Sequence, residues 1–172
     1  MRRWGNKQGF TIVELLIVIV IIAILASITI VAYNGVQQRA RNSQILSGVE
    51  AYKKALMEYA TDNGSYPSAS GGRVCLGANY AGGQCWSGPN GNAYTSPTVD
   101  AALAKYLPAT PTVSTNILQI TSLPDYRLGA ILVNSPDRIV YYLEGAGQTC
   151  LEGFAGTTEM QGTQCTIILP TP

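Results

Sequence analysis

Residues 6–27, NKQGFTIVELLIVIVIIAILAS, determine how this chain is built. Lys7 and Gly9 precede an almost wholly apolar run in which Glu14 is the one acid, and residues 15–36 carry no charge. A helix needs about 20 predominantly apolar residues to cross the hydrocarbon core of a bilayer. The run therefore predicts a membrane-spanning helix, and it raises the question of why a carboxylate lies near its start.

Composition and charge agree with a small domain attached to such a segment. The chain has 172 residues, of which only 12 % are charged, against about 25 % in ordinary soluble domains. Arg2, Arg3 and Lys7 precede the apolar run, so the positive-inside rule predicts a cytoplasmic N-terminus with the remainder of the chain outside. No basic stripe occurs elsewhere in the sequence. A nucleic-acid partner is therefore not indicated for the isolated chain.

The helix is predicted to continue beyond the apolar run with a different pattern. In residues 36–64, VQQRARNSQILSGVEAYKKALMEYATDNG, apolar side chains recur at alternating spacings of four and three. They are Ile45, Val49, Tyr52, Leu56 and Tyr59. This spacing draws one apolar stripe along a helix, which predicts packing against a second layer. Asn63-Gly64 predicts the end of the helix, and Pro67 prevents its resumption.

Residues 65–172 predict a globular region with few strands. RLGAILV (127–133) and RIVYYLEG (138–145), on either side of NSPD, are typical of a hairpin. CTIILP (165–170) is a further strand candidate and NILQITS (116–122) a weaker one, while SPTVDAALAKYLP (96–108) predicts a short helix capped by Ser96. The glycine-rich residues 71–94 are predicted to be a long surface loop. The expected fold class is α+β, with a small antiparallel sheet packed on the C-terminal half of the long helix.

The four cysteines follow the apolar run, on the side predicted to be outside. An even number of cysteines in that compartment favours disulfides over a metal site, and the chain has neither a histidine nor a C-x-x-C spacing. Three pairings are possible. Cys75–Cys85 with Cys150–Cys165 closes the shortest loops and is the cheapest in chain entropy. No metal or cofactor is predicted.

The segment KQGFTIVE (7–14) and the apolar run after it resemble the prepilin signature of type IV pilins and type II secretion pseudopilins. The resemblance implies cleavage between Gly9 and Phe10, N-methylation of Phe10, and a role in assembly for Glu14. Ala23 and Val31 occupy places where many family members carry glycine and proline. The implied division is a leader (1–9), a transmembrane and assembly half of the helix (10–33), an amphipathic half (34–64) and a globular pilin head with an antiparallel sheet and disulfide-bounded loops (65–172).

The physical interpretation of Glu14 is that it serves a neighbouring copy of the chain. Translocon scales assign a mid-span acid a cost of about 2.5–3.5 kcal/mol, and cleavage after Gly9 creates a cationic amine at Phe10. In a bundle of parallel, staggered copies, Glu14 of one subunit can pair with the amine of another, which favours assembly. The alternative is that Glu14 interacts with the helix macrodipole and extends toward the lipid headgroups.

The predicted function is that of a structural subunit of a type IV pilus-like filament. The implied partners are other copies of the chain, prepilin peptidase, the pilus assembly platform and motor, and the cytoplasmic membrane before assembly. A pseudopilin of a type II secretion system is the alternative within the superfamily, and an anchored or secreted extracellular binding domain is the alternative from another class. The loop between Cys150 and Cys165 resembles the exposed C-terminal loop of many pilins. An enzyme is not predicted, because histidine and a G-x-S-x-G motif are absent and the acids form no calcium loop.

Overall fold

A long helix, α1, spans Ile12–Asn63, as the apolar run and the stripe after it predicted. It ends at the predicted signal, because Gly64 adopts a φ of +70° and its amide donates to the carbonyl of Ala60 at 2.8 Å. A left-handed residue of this kind satisfies a carbonyl that the last helical turn leaves open. The structure is a computed structural model, and it describes residues 9–68, 72–78, 80–88, 91–112, 117–118, 126–127, 130–133, 137–158 and 162–172.

Helix α1 contributes to two structural units. The first comprises the chain up to Gln37, and the second comprises Gln38–Pro172. In the second unit the predicted stripe faces the core: Ile45, Val49, Tyr52 and Leu56 are at most 1 % exposed. Tyr59, the last residue of the stripe, is half-buried and packs edge to face on Tyr106, with ring centroids 5.8 Å apart.

The layer beneath this stripe is one sheet, within which the described residues form nine strands. They are β1 (Arg73–Leu76), β2 (Gln84–Gly88), β3 (Gly91–Thr95), β4 (Ile117–Leu118), β5 (Tyr126–Arg127), β6 (Ala130–Val133), β7 (Arg138–Glu144), β8 (Ala155–Thr158) and β9 (Gly162–Ile168). Their order is β4-β5-β2-β3-β1-β6-β7-β9-β8. Every described pairing is antiparallel except β1 with β3, which is parallel. The predicted α+β fold is confirmed, with one parallel pair added.

Several of the predicted elements are present. The hairpin is β6 and β7, the candidate at 165–170 belongs to β9, and the weaker candidate at 116–122 contributes only β4. Residues 119–122 and most of the NSPD turn lie outside the described residues. The short helix is α2 (Pro97–Leu103), whose cap Ser96 accepts a hydrogen bond from the amide of Val99.

The prediction of a surface loop over residues 71–94 is wrong. These residues contain β1, β2 and β3, and the side chains of Val74, Cys75, Leu76 and Cys85 are at most 1 % exposed. Glycines in this stretch mark the tight connections between strands, as at Gly82 with a φ of +63°. The disulfide joins β1 to β2, and buried half-cystines behave as small apolar residues. The segment therefore contributes to the core, although its glycine-rich composition predicted a surface loop.

Candidate assembly interface

The apolar half of α1 is exposed along its length. From Ile12 to Val36, the described large apolar side chains are 50–80 % exposed, and Phe10 is 85 % exposed. By length and composition, α1 is long and apolar enough to cross a membrane, with a mean hydropathy of 3.3 in its most apolar window. Soluble monomers rarely expose so large a continuous apolar surface, and such surfaces mark contacts with lipid or with another protein.

The predicted cleavage site precedes the first turn of α1. Gly9 and Phe10 are exposed and lie outside the helix, which begins at Ile12. A Cβ atom built on Gly9 meets no atom within 4 Å. The Gly9–Phe10 peptide bond therefore lies in exposed backbone outside the helix, where a peptidase can reach it. The leader residues 1–8 lie outside the described part of the chain.

Glu14 forms a capping box with Thr11. The Glu14 oxygen Oε2 accepts hydrogen bonds from the amide and from the hydroxyl of Thr11, both at 2.8 Å, and the amide of Glu14 donates to the Thr11 hydroxyl at 3.2 Å. These reciprocal bonds satisfy amides that the first turn of a helix leaves open. The role of Thr11 was not predicted from the sequence, although the T-x-x-E pattern at the start of an apolar run is a signal for a capping box.

The cap leaves part of the carboxylate available. The bonds from Thr11 go to Oε2, and within the described residues Oε1 has no hydrogen-bond partner. A carboxylate offers about four acceptor positions across its two oxygens. A capped Glu14 therefore retains acceptor capacity for a cation from outside its own chain.

A polar clamp of five side chains joins α1 to the end of β7 in the second unit; it consists of Gln38, Arg41, Asn42, Glu144 and Gln148. Arg41 donates to one carboxylate oxygen of Glu144 from Nε at 2.9 Å and from Nη2 at 2.6 Å. Asn42, only 6 % exposed, donates to the Glu144 carbonyl at 2.9 Å and accepts from the Glu144 amide at 2.9 Å. Gln38 donates to the same carbonyl at 2.6 Å, and Asn42 reaches Gln148 at 3.4 Å. The clamp was not predicted from the sequence, because the residues that it joins are about 100 positions apart.

Both disulfides have the nearest-neighbour pairing. The Cα atoms are 5.7 Å apart in Cys75–Cys85 and 5.8 Å apart in Cys150–Cys165. The second disulfide closes a loop that contains the exposed strand β8. Phe154 of this loop packs edge to face on Tyr141 of β7, with centroids 5.0 Å apart. The loop is therefore anchored on the core by an aromatic pair as well as by its disulfide.

Tyr52 and Asp62 are among the ionisable side chains of the second unit whose pKa values are shifted. Burial, together with the charge of Asp100, raises the pKa of Tyr52 to about 12. Hydrogen bonds from the Tyr106 hydroxyl (2.8 Å) and from Lys105 (3.1 Å) lower the pKa of the Asp62 carboxyl. The Asp62 bonds connect the end of α1 to the residues just after α2. In the described residues, no group of three or more His, Cys, Asp or Glu side chains is close enough to hold a metal ion.

Comparison with known proteins finds similarity over part of the chain. Residues 4–30 match the prokaryotic N-terminal methylation motif. The type II secretion system core protein G of Escherichia coli K12 is 36 % identical over 76 residues, which are 44 % of this chain and 52 % of that protein. The fimbrial protein of Neisseria meningitidis serogroup A is 40 % identical over 62 residues, 36 % of each chain. The type IV major pilin protein PilE1 of Neisseria gonorrhoeae is 39 % identical over 61 residues, 36 % of this chain and 37 % of that protein.

The similarity covers only part of these proteins. The chain spans about half the length of the secretion proteins that it matches and little more than a third of the pilins. No solved structure matches the chain. The resemblance to prepilins is confirmed for the N-terminal motif, and these alignments cover less than half of this chain.

Proposed function

We propose that this chain is a structural, non-enzymatic subunit of a type IV pilus-like surface filament, made as a membrane-anchored precursor and polymerised through α1. The observation that carries the proposal is the coincidence of the methylation motif with a helix whose apolar half is exposed throughout. A lipid bilayer covers that surface in the precursor. Other copies of the same helix cover it in the filament. The globular second unit stays outside the membrane and becomes the surface of the fibre.

Processing precedes assembly in this scheme. Prepilin peptidase cuts between Gly9 and Phe10 in the open backbone before the first helical turn, removes the leader 1–9, and leaves Phe10 as an N-methylated terminus. The new amine and Glu14 are then the opposite charges nearest to each other at this depth. Pairing between Glu14 of one subunit and the amine of the next removes a desolvation cost that a single subunit bears in lipid. The assembly platform and its motor supply the energy for extraction from the membrane.

A pseudopilus subunit of a type II secretion system is the second candidate. The observation that favours it is that the match to the secretion core protein G extends over 76 residues, against 62 for the fimbrial protein. The two candidates differ in where the polymer is found. A pilus extends from the cell surface, while a pseudopilus stays within the envelope.

The first experiment determines the mature terminus and the location of the polymer. Intact mass and N-terminal sequencing of the chain recovered from its own cells are expected to give a methylated N-terminus at Phe10. Sheared surface material, examined by electron microscopy with an antibody to residues 38–172, is expected to contain labelled filaments. Recovery of the chain with Met1 attached and no polymer refutes the proposal. Processed chain in polymers confined to the envelope favours the pseudopilus instead.

The second experiment separates the charge of Glu14 from its capping role. Glu14→Gln keeps an acceptor for Thr11 and removes the charge, whereas Thr11→Val removes the capping hydroxyl and keeps the charge. If Glu14 serves a neighbouring subunit, Glu14→Gln and Glu14→Val are processed normally and yield few filaments, while Thr11→Val yields nearly normal numbers. If Glu14 only caps the helix, Thr11→Val is the defective variant and Glu14→Gln assembles.

A further inference from the structure

A groove in the second unit lies between α1 and the start of the Cys150–Cys165 loop. It has a volume of about 920 Å³, and its lining includes the α1 residues Glu50, Lys54 and Met57 and the loop residues Leu151 and Glu152. Met57, a large apolar side chain, is 41 % exposed here. The groove combines an apolar floor with a charged rim, which suits a helix or loop that carries both small apolar and charged side chains.

The cations that line the groove already have partners. Lys54 pairs with Glu58 at 3.8 Å, and the ammonium of Lys53 lies 5.5 Å from the centre of the Phe154 ring. The carboxylates of Glu50 and Glu152 have neither an ion pair nor a hydrogen bond to any other described residue. The lining carries three acids, Glu50, Glu58 and Glu152, against two lysines, so its net charge is negative and the groove selects an occupant with a cation.

Such a cation is present on the exposed face of α1. Arg39 is exposed, and within the described chain its guanidinium has no ion pair or hydrogen bond. Ala40, Ser43 and Ser47 follow it on the exposed face and are small, so a second backbone can approach closely. Arg39 and Glu50 are eleven residues apart, which is about three helical turns. They therefore lie on nearly the same face of α1, separated by about 16 Å along its axis.

That separation prevents Arg39 from reaching the groove of its own chain, because an extended arginine side chain spans much less than 16 Å. A second copy does not have this restriction. Copies anchored through the same apolar segment are parallel, and a parallel neighbour displaced by about 16 Å along the helix brings its Arg39 level with Glu50. Arginine is suited to this position, since its guanidinium can contact two carboxylates in one plane.

We propose that the groove lined by Glu50 and Glu152 receives the turn of α1 around Arg39 from a neighbouring copy of the chain. The contact rests on the proposed function, which supplies the parallel orientation. The Glu14–Phe10 pair needs a displacement of only four residues, about 6 Å along the helix, so the groove contact involves a different neighbouring copy. Because the cation of one copy meets the acids of another, the contact is head to tail, and the displacement along the axis keeps it from closing into a ring, as a filament requires.

Charge reversal tests the contact. Arg39→Glu and Glu50→Arg are each expected to lower the yield of sheared filaments, relative to processed cell-associated subunit, by about fivefold or more. The double variant Arg39→Glu/Glu50→Arg is expected to recover to within about twofold of the unaltered chain, because the pair is restored with opposite polarity. Thr98→Glu is the control, since it adds a charge at an exposed position outside the groove, and it is expected to assemble normally.

Cross-linking tests the geometry of the contact independently. Arg39→Cys/Glu50→Cys is expected to give a ladder of disulfide-linked copies in oxidised filaments, because the two positions meet only between chains. Arg39→Cys/Thr61→Cys places the second thiol eleven residues further along the same face and is expected to give no ladder.

The outcomes separate this proposal from the proposed function. If the unaltered chain forms no filament, the proposed function fails. If the unaltered chain polymerises and both reversals polymerise equally well, the contact alone is refuted. Single variants that are defective without rescue in the double variant also refute it, because they indicate a different occupant of the groove. A ladder from Arg39→Cys/Thr61→Cys as strong as that from Arg39→Cys/Glu50→Cys refutes the stagger.

Discussion

Replacement of Asn42 by alanine tests whether the polar clamp holds α1 on the sheet. Asn42 is buried and makes two 2.9 Å hydrogen bonds to the backbone of Glu144, one as donor and one as acceptor. Removal of its side chain leaves the Glu144 amide without this acceptor, while the Glu144 carbonyl still accepts from Gln38 at 2.6 Å. The clamp therefore loses both of these bonds and the 3.4 Å bond from Asn42 to Gln148, and one part-buried donor is left unsatisfied.

The expected cost follows from these bonds. A hydrogen bond contributes about 1 kcal/mol net, and an unsatisfied buried donor costs about 1–3 kcal/mol. Alanine recovers about 0.5 kcal/mol through its higher helix propensity. The free energy of unfolding of Asn42→Ala is therefore expected to fall by about 2–3 kcal/mol. Ser43→Ala is the matched control, because Ser43 is the exposed next residue of the same helix, and it is expected to change stability by less than about 0.5 kcal/mol.

The measurement is urea unfolding, in detergent, of the chain from Phe10 onward. Trp86 is the one tryptophan left once the leader, with Trp4, is removed, and it is half-buried beside Arg73, 4.5 Å from the ring centre. Its fluorescence therefore reports on the second unit alone. If Asn42→Ala unfolds within about 0.5 kcal/mol of Ser43→Ala, the clamp does not stabilise this unit and the reasoning is wrong.

Three further predictions concern the second unit. Burial raises the pKa of Tyr52 from an ordinary value of 10 to about 12, so between these pH values the folded chain keeps a proton that the unfolded chain releases. Stability is therefore expected to fall as pH rises from 10 to 12. Over that range the measured Tm should fall less in Tyr52→Phe than in the unaltered chain. Cys150 is half-buried while Cys75 and Cys85 are wholly buried, so mild reductant should open Cys150–Cys165 before Cys75–Cys85. Alkylation followed by mass spectrometry measures how fast each disulfide is reduced, and equal rates would show that burial does not govern reduction. Gly145 has a φ of +92°, and a Cβ atom there collides with the side chain of Gln38. In the same urea assay, Gly145→Ala should therefore lower the free energy of unfolding by about 1–3 kcal/mol. Gly147→Ala should lower it less, because Gly147 is also left-handed but has open space around it.

The elements that the sequence predicted correctly are those set by local signals. Asn63-Gly64 ends α1 because glycine adopts the left-handed conformation without strain, and Ser96 begins α2 because its hydroxyl accepts a backbone hydrogen bond nearby in the chain. The prediction failed over residues 71–94, where composition indicated a loop. There the strands are stabilised by partners far along the chain, since β1 pairs with β6 on one side and with β3 on the other.

The residues of the candidate interface and of the polar clamp also divide into those that local signals predict and those that depend on distant contacts. Gly9, Phe10 and Glu14 were found from the sequence because their spacing beside the apolar run is local, and their roles in processing and assembly remain predictions. The capping box was readable from the same residues. Asn42 and Glu144 were not predicted, because nothing near either of them in the chain indicates that they are bonded.

The sequence by itself determined the long helix, its division into an apolar and an amphipathic half, and the positions at which helices begin and end. These properties depend on hydrophobic periodicity and on bonds between residues a few positions apart. The tertiary structure alone decided the strand order, the clamp on β7, and which charges are left without partners at the groove. Those depend on which distant segments meet, since burial and pairing are properties of the packed chain rather than of any segment in it.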